Sequence, residues 1–329
     1  DLIKDEWSNS SVWVAPLKAP ASIENVVTDE FKKDFLSLVQ LPNGFKFTEQ
    51  QWNALNAVNN FLNNPSSIDK GALTIAGYAG TGKSTIINYV FEYRQKKSHT
   101  PKGVSGKTHA VYVTPTHASG SVISTKTKTL YTTLNSAQNS MYHGNGIDPN
   151  SSLDKAITAS SKFVPEISTS NVAIVIDEVS MTDKKQLEKF IASAQASNIP
   201  VIMMGDPMQL PAVGENSSNT VYKNNVKFKL ISHAFTAYPT LQLTEVMRTS
   251  NNNILNSLTA IRLADKNSFD LIPLPKEQTE SFQWSTIDTS FWNTTGQSII
   301  QDFQNQSEST KVVAYTNSDV MVSFLYQRF

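Results

Sequence analysis

Eight residues, Gly77-Tyr78-Ala79-Gly80-Thr81-Gly82-Lys83-Ser84, hold three glycines and a Lys-Ser pair, and their flanks say where such a loop must lie. Ahead of it, Ala72-Leu73-Thr74-Ile75-Ala76 is a short apolar run suited to a buried parallel strand. Behind it, from Thr85 to Tyr93, Ile86, Ile87, Val90 and Phe91 fall on one helical face. Strand, glycine-rich turn and helix in that order satisfy the P-loop pattern G-x-x-x-x-G-K-[ST] in full. Glycine reaches backbone conformations closed to other residues, so successive N–H groups can turn inward at a helix N-terminus and cradle phosphate oxygens. The loop therefore predicts a nucleoside triphosphate held by Gly77, Gly80, Thr81, Gly82, Lys83, Ser84 and Thr85. Lys83 is expected on the β- and γ-phosphates and the Ser84 hydroxyl on Mg²⁺.

The rest of the chain extends this unit into an α/β sheet. Ala110-Val111-Tyr112-Val113-Thr114, Val172-Ala173-Ile174-Val175-Ile176 and Pro200-Val201-Ile202-Met203-Met204 are Val- and Ile-rich strands, with helical segments among them. That alternation describes a parallel sheet covered on both faces, with active residues gathered at the C-terminal strand ends. The third strand delivers Asp177-Glu178, a Walker B arrangement. Asp177 can hold the hydration shell of the metal beside Ser84, and Glu178 can polarise an attacking water. The next strand leads into Gly205-Asp206-Pro207-Met208-Gln209-Leu210-Pro211, where the neutral amide of Gln209 can sense the γ-phosphate.

Thr48-Glu49-Gln50-Gln51 opens a helix carrying Trp52, Leu55, Val58, Phe61 and Leu62, with Thr48 as its N-cap. Upstream, residues 1–44 form an irregular arm with a short helix over Thr28 to Val39. The motor domain is assigned to residues 45–134 and 172–235. The Ser-, Asn- and Gly-rich stretch 135–171 is an inserted hairpin subdomain, and 236–329 begins a second α/β domain that includes Thr240-Leu241-Gln242-Leu243 and Lys311-Val312-Val313-Ala314-Tyr315.

Twenty-eight basic and 28 acidic residues cancel, so charge gives no polyanion signal, and any nucleic-acid contact must come from local motifs. The absence of cysteine excludes disulfides and thiolate metal sites. No apolar run approaches the roughly 18 residues that would span a bilayer. A monomer in the cytoplasm, with no membrane partner, is expected.

Taken in order, these segments resemble the motifs of superfamily 1B DNA helicases of the RecD-like group, with phage members nearest in pattern. Thr48-Glu49-Gln50-Gln51 resembles the Q motif, Pro115-Thr116-His117-Ala118 motif Ia, Asp177-Glu178-Val179-Ser180-Met181 motif II, Gly205 to Leu210 motif III, and Leu243-Thr244-Glu245-Val246-Met247-Arg248 motif IV. The match covers about residues 47 to 320. The resemblance implies a RecA-like P-loop domain with a small inserted subdomain and a second, incomplete RecA-like domain. It implies that Gln51 reads the adenine of ATP, that Arg248 is an arginine finger acting when the domains close, and that Pro115, Thr116, His117, Thr129 and Tyr131 contact single-stranded DNA. The activity implied is ATP-driven movement along that strand, 5′ to 3′, in replication or recombination. A DNA-stimulated ATPase or nucleic-acid-binding protein with a vestigial motor, and a P-loop phosphotransferase, are the alternatives. The family's later motifs should follow Tyr315, yet the sequence stops at Phe329 and starts at Asp1, which favours a fragment.

Overall fold

A computed structural model describes residues 13–14, 27–68, 71–99, 108–115, 131–140, 171–207, 209, 220–223, 226–229 and 232–247. The chain divides into two compact units, Asp1–Pro273 and Leu274–Phe329, and every described residue belongs to the first. In chain order the elements are β1 (Trp13–Val14), α1 (Asp29–Leu38), α2 (Glu49–Asn63), β2 (Ala72–Gly77), α3 (Lys83–Ser98), β3 (His109–Thr114), β4 (Tyr131–Thr133), α4 (Leu134–Ser140), β5 (Val172–Ile176), α5 (Lys184–Ala196), β6 (Val201–Gly205), β7 (Thr220–Lys223), β8 (Val226–Lys229), α6 (His233–Thr236) and β9 (Thr240–Leu243).

Six strands form one sheet in the order β4-β3-β5-β6-β2-β9, and every pair in it is parallel. β2, β3, β5 and β6 are buried along their whole length, as strands covered on both faces must be. Successive side chains alternate between two cores. Leu73, Ile75, Val175, Ile202 and Met204 pack with Phe35, Leu55, Ile86 and Val90 of α1, α2 and α3. Ala72, Ala76, Ile174, Ile176, Val201 and Met203 face the other way, toward Leu134, Leu187, Phe190 and Phe235 of α4, α5 and α6. A second, three-stranded sheet has the order β1-β8-β7, in which β7 and β8 are an antiparallel pair.

The helices start where their sequences allow. Thr28 caps α1 by accepting the Phe31 N–H at 3.1 Å, and Asp183 caps α5 through the Gln186 N–H at 3.0 Å. α2 has a full capping box: the Thr48 hydroxyl accepts the Gln51 N–H, and the Gln51 side chain accepts the Thr48 N–H.

Two boundaries expected from the sequence move. β9 was assigned to a second domain, but it pairs with β2 through Thr74↔Thr240, Ile75↔Leu241, Ala76↔Gln242 and Gly77↔Leu243. It is thus an edge strand of the P-loop sheet, because its alternate residues Leu241 and Leu243 complete the core beside Ile75. The expected helix before residue 44 exists, but it is no separate arm: Phe35 and Val39 are buried in the same core as α2 and α3. The polar stretch around residues 216–229 carries the β7–β8 hairpin, and β4 was not anticipated. α4 occupies the start of the expected insertion, while residues 141–170 and the expected strand at Lys311–Tyr315 lie outside the described residues.

Candidate nucleotide site

The central strands β2, β6 and β5 lie side by side and parallel, so their C-terminal ends bring Gly77, Gly205-Asp206 and Asp177-Glu178 to one edge of the sheet. The loop after β2 needs its glycines for two reasons. Gly82 has φ +91°, a left-handed conformation, and a Cβ there would meet the Gln51 Nε2 at 2.8 Å. Gly77 has no room: its Cβ would lie 2.6 Å from the Thr81 hydroxyl oxygen and 3.0 Å from Leu243.

The loop's carbonyls are tied down from outside. The Gln51 Nε2 donates to the Thr81 carbonyl at 3.0 Å, and the Met247 N–H donates to the Gly80 carbonyl at 2.8 Å. A trans peptide points its C=O and N–H in opposite directions, so each tie also fixes the heading of the next N–H, at Gly82 and Thr81 respectively. The Thr81 N–H faces the Tyr78 carbonyl across the turn at 3.3 Å. α3 begins directly at Lys83, its N-cap is Gly82, and no side chain caps its first N–H groups. The N–H groups of a helix's first turn and the positive end of its dipole suit an anion. The Lys83 ammonium stays at the loop, donating to the Gly77 carbonyl at 2.8 Å and the Tyr78 carbonyl at 3.0 Å. Ser84 is exposed on the first turn of α3, and Thr85 is half-buried beside it.

Opposite the loop stand the carboxylates. The Asp177 N–H continues the sheet by donating to the Val113 carbonyl at 3.0 Å, after which the backbone turns sharply. Glu178 has φ +53°, a left-handed conformation unusual for a residue with a side chain, and its N–H donates to Asp177 Oδ1 at 3.0 Å. Burial raises the Glu178 pKa above the usual carboxylate range, and the charges of Asp177 and Asp206 push it the same way, while Lys83 opposes them. Lys83, Asp177, Glu178 and Asp206 therefore share one electrostatic neighbourhood. Asp206 is fully buried and its carbonyl accepts the Gln209 N–H at 3.1 Å, so Gln209 follows directly on the end of β6.

Other expected positions fare differently. The amide of Gln51 is engaged at both ends, by Thr48 and by Thr81, and only 4% of the residue is exposed. In this structure its amide braces the loop. Pro115 follows β3, half-buried at the same sheet edge. Tyr131 lies level with Tyr112 and packs against the core on the α3 side, so it does not share that edge with Pro115. Thr116, His117, Thr129 and Arg248 lie outside the described residues.

Three participants were not singled out from the sequence: Asp206, Gln50 and Thr244. The signal for Asp206 was its place straight after a buried strand. Gln50 and Thr244 are 194 positions apart, and only the closure of β9 onto β2 reveals them as neighbours.

A fully parallel sheet, a glycine-rich loop opening a helix, and acidic residues at neighbouring strand ends define a P-loop protein of the RecA-like α/β class. Residues 48–272 match the profile of a family described as an AAA domain. The ATP-dependent DNA helicase dda of Enterobacteria phage T4 is 30% identical over 217 residues, which cover 65% of this chain and 42% of that protein. The ATP-dependent DNA helicase PIF1 of Xenopus laevis is 35% identical over 103 residues, covering 29% of this chain and 16% of that protein. The crystal structure of Pif1 helicase from Candida albicans aligns with a TM-score of 0.42 and 18% identity, over 85% of this chain and 62% of that one. The chain belongs to this AAA-domain family. It spans less than half the length of the curated relatives cited here.

Proposed function

We propose that this chain is the nucleotide-binding part of an ATP-dependent DNA helicase that moves along single-stranded DNA. The observation that carries the reading is the convergence of the Lys83 loop with Asp177, Glu178 and Asp206, in a chain related to two helicases. The residues fit ATP with Mg²⁺. Among the described residues no three His, Asp or Glu side chains could cage a metal by themselves. Mg²⁺ is commonly held by one or two carboxylates together with substrate phosphates, and Asp177, just past β5, and the Ser84 hydroxyl, on the first turn of α3, would hold it. The metal supplies charge neutralisation on the phosphates when bound.

The chain's own groups then divide the work. The Thr81 and Gly82 region and the α3 N-terminus bind phosphate, and Lys83 exchanges the Gly77 and Tyr78 carbonyls for phosphate oxygens. Glu178 takes the proton of the attacking water, a role its raised pKa suits. Gln209 senses the γ-phosphate, and Arg248, from the segment beyond Met247, offsets charge in the transition state. DNA is met by Pro115, Thr116 and His117 past the end of β3, with 5′-to-3′ movement by a monomer in the cytoplasm. Among the described residues no helix is long and apolar enough to cross a membrane.

The test is ATP hydrolysis with and without a single-stranded oligonucleotide, in this chain and in the longer gene product. Stimulation by the oligonucleotide in both supports the reading. ATP turnover indifferent to DNA in both, or phosphate transferred to an acceptor other than water, sinks it.

A further inference from the structure

The four described residues after β9, Thr244 to Met247, run from the sheet to the nucleotide loop, and two ties hold them there. The first is a side-chain clasp: Gln50 Oε1 accepts the Thr244 N–H at 2.8 Å, and Gln50 Nε2 donates to the Thr244 hydroxyl oxygen at 2.9 Å. The second is the Met247 N–H on the Gly80 carbonyl at 2.8 Å. With the longer contact of the Thr244 hydroxyl to Gln50 Oε1 at 3.3 Å, these are the hydrogen bonds found from Thr244 to Met247 among the described residues, and Glu245 and Met247 are otherwise exposed. A two-point amide clasp fixes orientation as well as distance, since sliding or rotating the segment breaks one bond or the other. Gln50 stands beside Gln51 at the start of α2, so two consecutive side chains grip two different things: Gln51 the loop at Thr81, Gln50 the exit from β9. The loop keeps the Gln51 tie whatever happens to Gln50. The exit segment would keep only the Met247 tie.

We propose that Gln50 is a positioning residue, which through Thr244 and Met247 registers the segment leading into Arg248 against the Gly80 peptide of the nucleotide loop. Loop position and the course of the chain at Met247 are thereby coupled before nucleotide arrives. The inference rests on the role given above to Arg248, and misplacement of such a group by about 1 Å can cost up to roughly a hundredfold in rate.

Gln50→Ala tests it, with Gln50→Glu as the conservative partner, because a carboxylate still accepts the Thr244 N–H and can take the hydroxyl proton's bond instead of donating. Hydrogen exchange at the Thr244 and Met247 amides should accelerate by about tenfold or more in Gln50→Ala and recover in Gln50→Glu, with the melting temperature little changed. In the DNA-stimulated ATPase assay kcat should fall roughly tenfold while KM for ATP stays within about twofold, since Gln51 still braces the loop. In an Arg248→Ala background the same substitution should cost nothing further. Unaltered amide exchange in Gln50→Ala overturns the clasp outright. Accelerated exchange with an additive loss in the double variant overturns the positioning role and leaves a local structural one. Inactivity of the unsubstituted chain, or an Arg248→Ala variant with full activity, would count against the functional reading itself, and the exchange measurement would still decide the clasp.

Discussion

The two faces of the central sheet are built from different materials. On the α1–α3 face the core is aromatic: Phe31, Phe35, Phe45, Phe47, Trp52, Tyr89 and Tyr93 form a chain of mostly edge-to-face contacts, with Phe35 stacked on Tyr93 at 5.2 Å. Its polar groups are paired. Tyr93 and Lys97 both donate to Asp34 Oδ2, at 2.5 and 2.6 Å, and the Tyr112 hydroxyl donates to Asn88 at 2.7 Å. Arg94 is fully buried and gives its hydrogens to Asn59, Asn63 and the Leu62 carbonyl at the C-terminal end of α2. The α4–α6 face is mainly aliphatic, and beside it the buried hydroxyls of Ser180, Thr182 and Ser232 find no partner among the described residues. Glu178, with its left-handed φ, opens the same 3₁₀ turn that contains Ser180. Unsatisfied buried hydroxyls and a strained backbone are costly, and such costs gather where geometry serves chemistry. The first face thus anchors Gln50, Gln51 and Lys83. The second carries the turn that sets Glu178.

Substitutions should separate the faces by what they damage. Phe35→Ala removes the ring shared by α1, α2 and α3 and should destabilise the fold by about 3–5 kcal/mol, measured by denaturant unfolding. Loss of activity there should track loss of folded protein. Lys83→Ala should do the opposite: ATP turnover falls by about a hundredfold to a thousandfold, with a smaller change in melting temperature than Phe35→Ala, because Lys83 is itself only half-buried and no part of the core. DNA-stimulated turnover surviving in Lys83→Ala would break the site assignment. Arg94→Met keeps the volume but strands the carbonyl and amide oxygens at the end of α2, for a loss of about 1–3 kcal/mol in the same unfolding measurement. A neutral result would mean that α2 does not depend on this guanidinium, and the contrast between the faces would rest on aromatic packing alone.

How far the sequence discloses this arrangement follows from which signals are local. The four central strands and the P-loop helix are written in apolar runs and glycines a few residues apart, and Val172–Ile176 coincides with its expected bounds. Thr48 as a cap is equally local. β9 shows the limit: Thr240-Leu241-Gln242-Leu243 is recognisable as a strand, but nothing within four residues says which sheet it joins, and pairing with β2 reaches back across more than half the chain. Gln51 shows another. An amide near a nucleotide loop can serve ligand or protein, and only the positions of the Thr48 N–H and the Thr81 carbonyl reveal that both its ends are used. Glu178 was legible as a strand-end acid but not as a left-handed residue, since the turn that forces its φ comes from the packing of Val179 beneath β6.

The smallest expected effect bears on that same Glu178. Its pKa is raised in the folded state by burial and by Asp177 and Asp206, so the folded protein holds this proton more tightly than the unfolded chain does. A group with a raised folded pKa adds stability that is fully present below its unfolded pKa, about 4.3 for Glu, and is lost as pH rises through the folded value. At neutral pH the ionised carboxylate is therefore a cost, which Glu178→Gln removes. That variant should melt slightly higher than the parent at pH 7 and lose the advantage at about pH 4, while ATP turnover collapses. The parent's turnover should show an acid limb above the usual carboxylate range. If the advantage of Glu178→Gln over the parent were no larger at pH 7 than at pH 4, the charge cluster would be well solvated, and the tuned base would have to be given up.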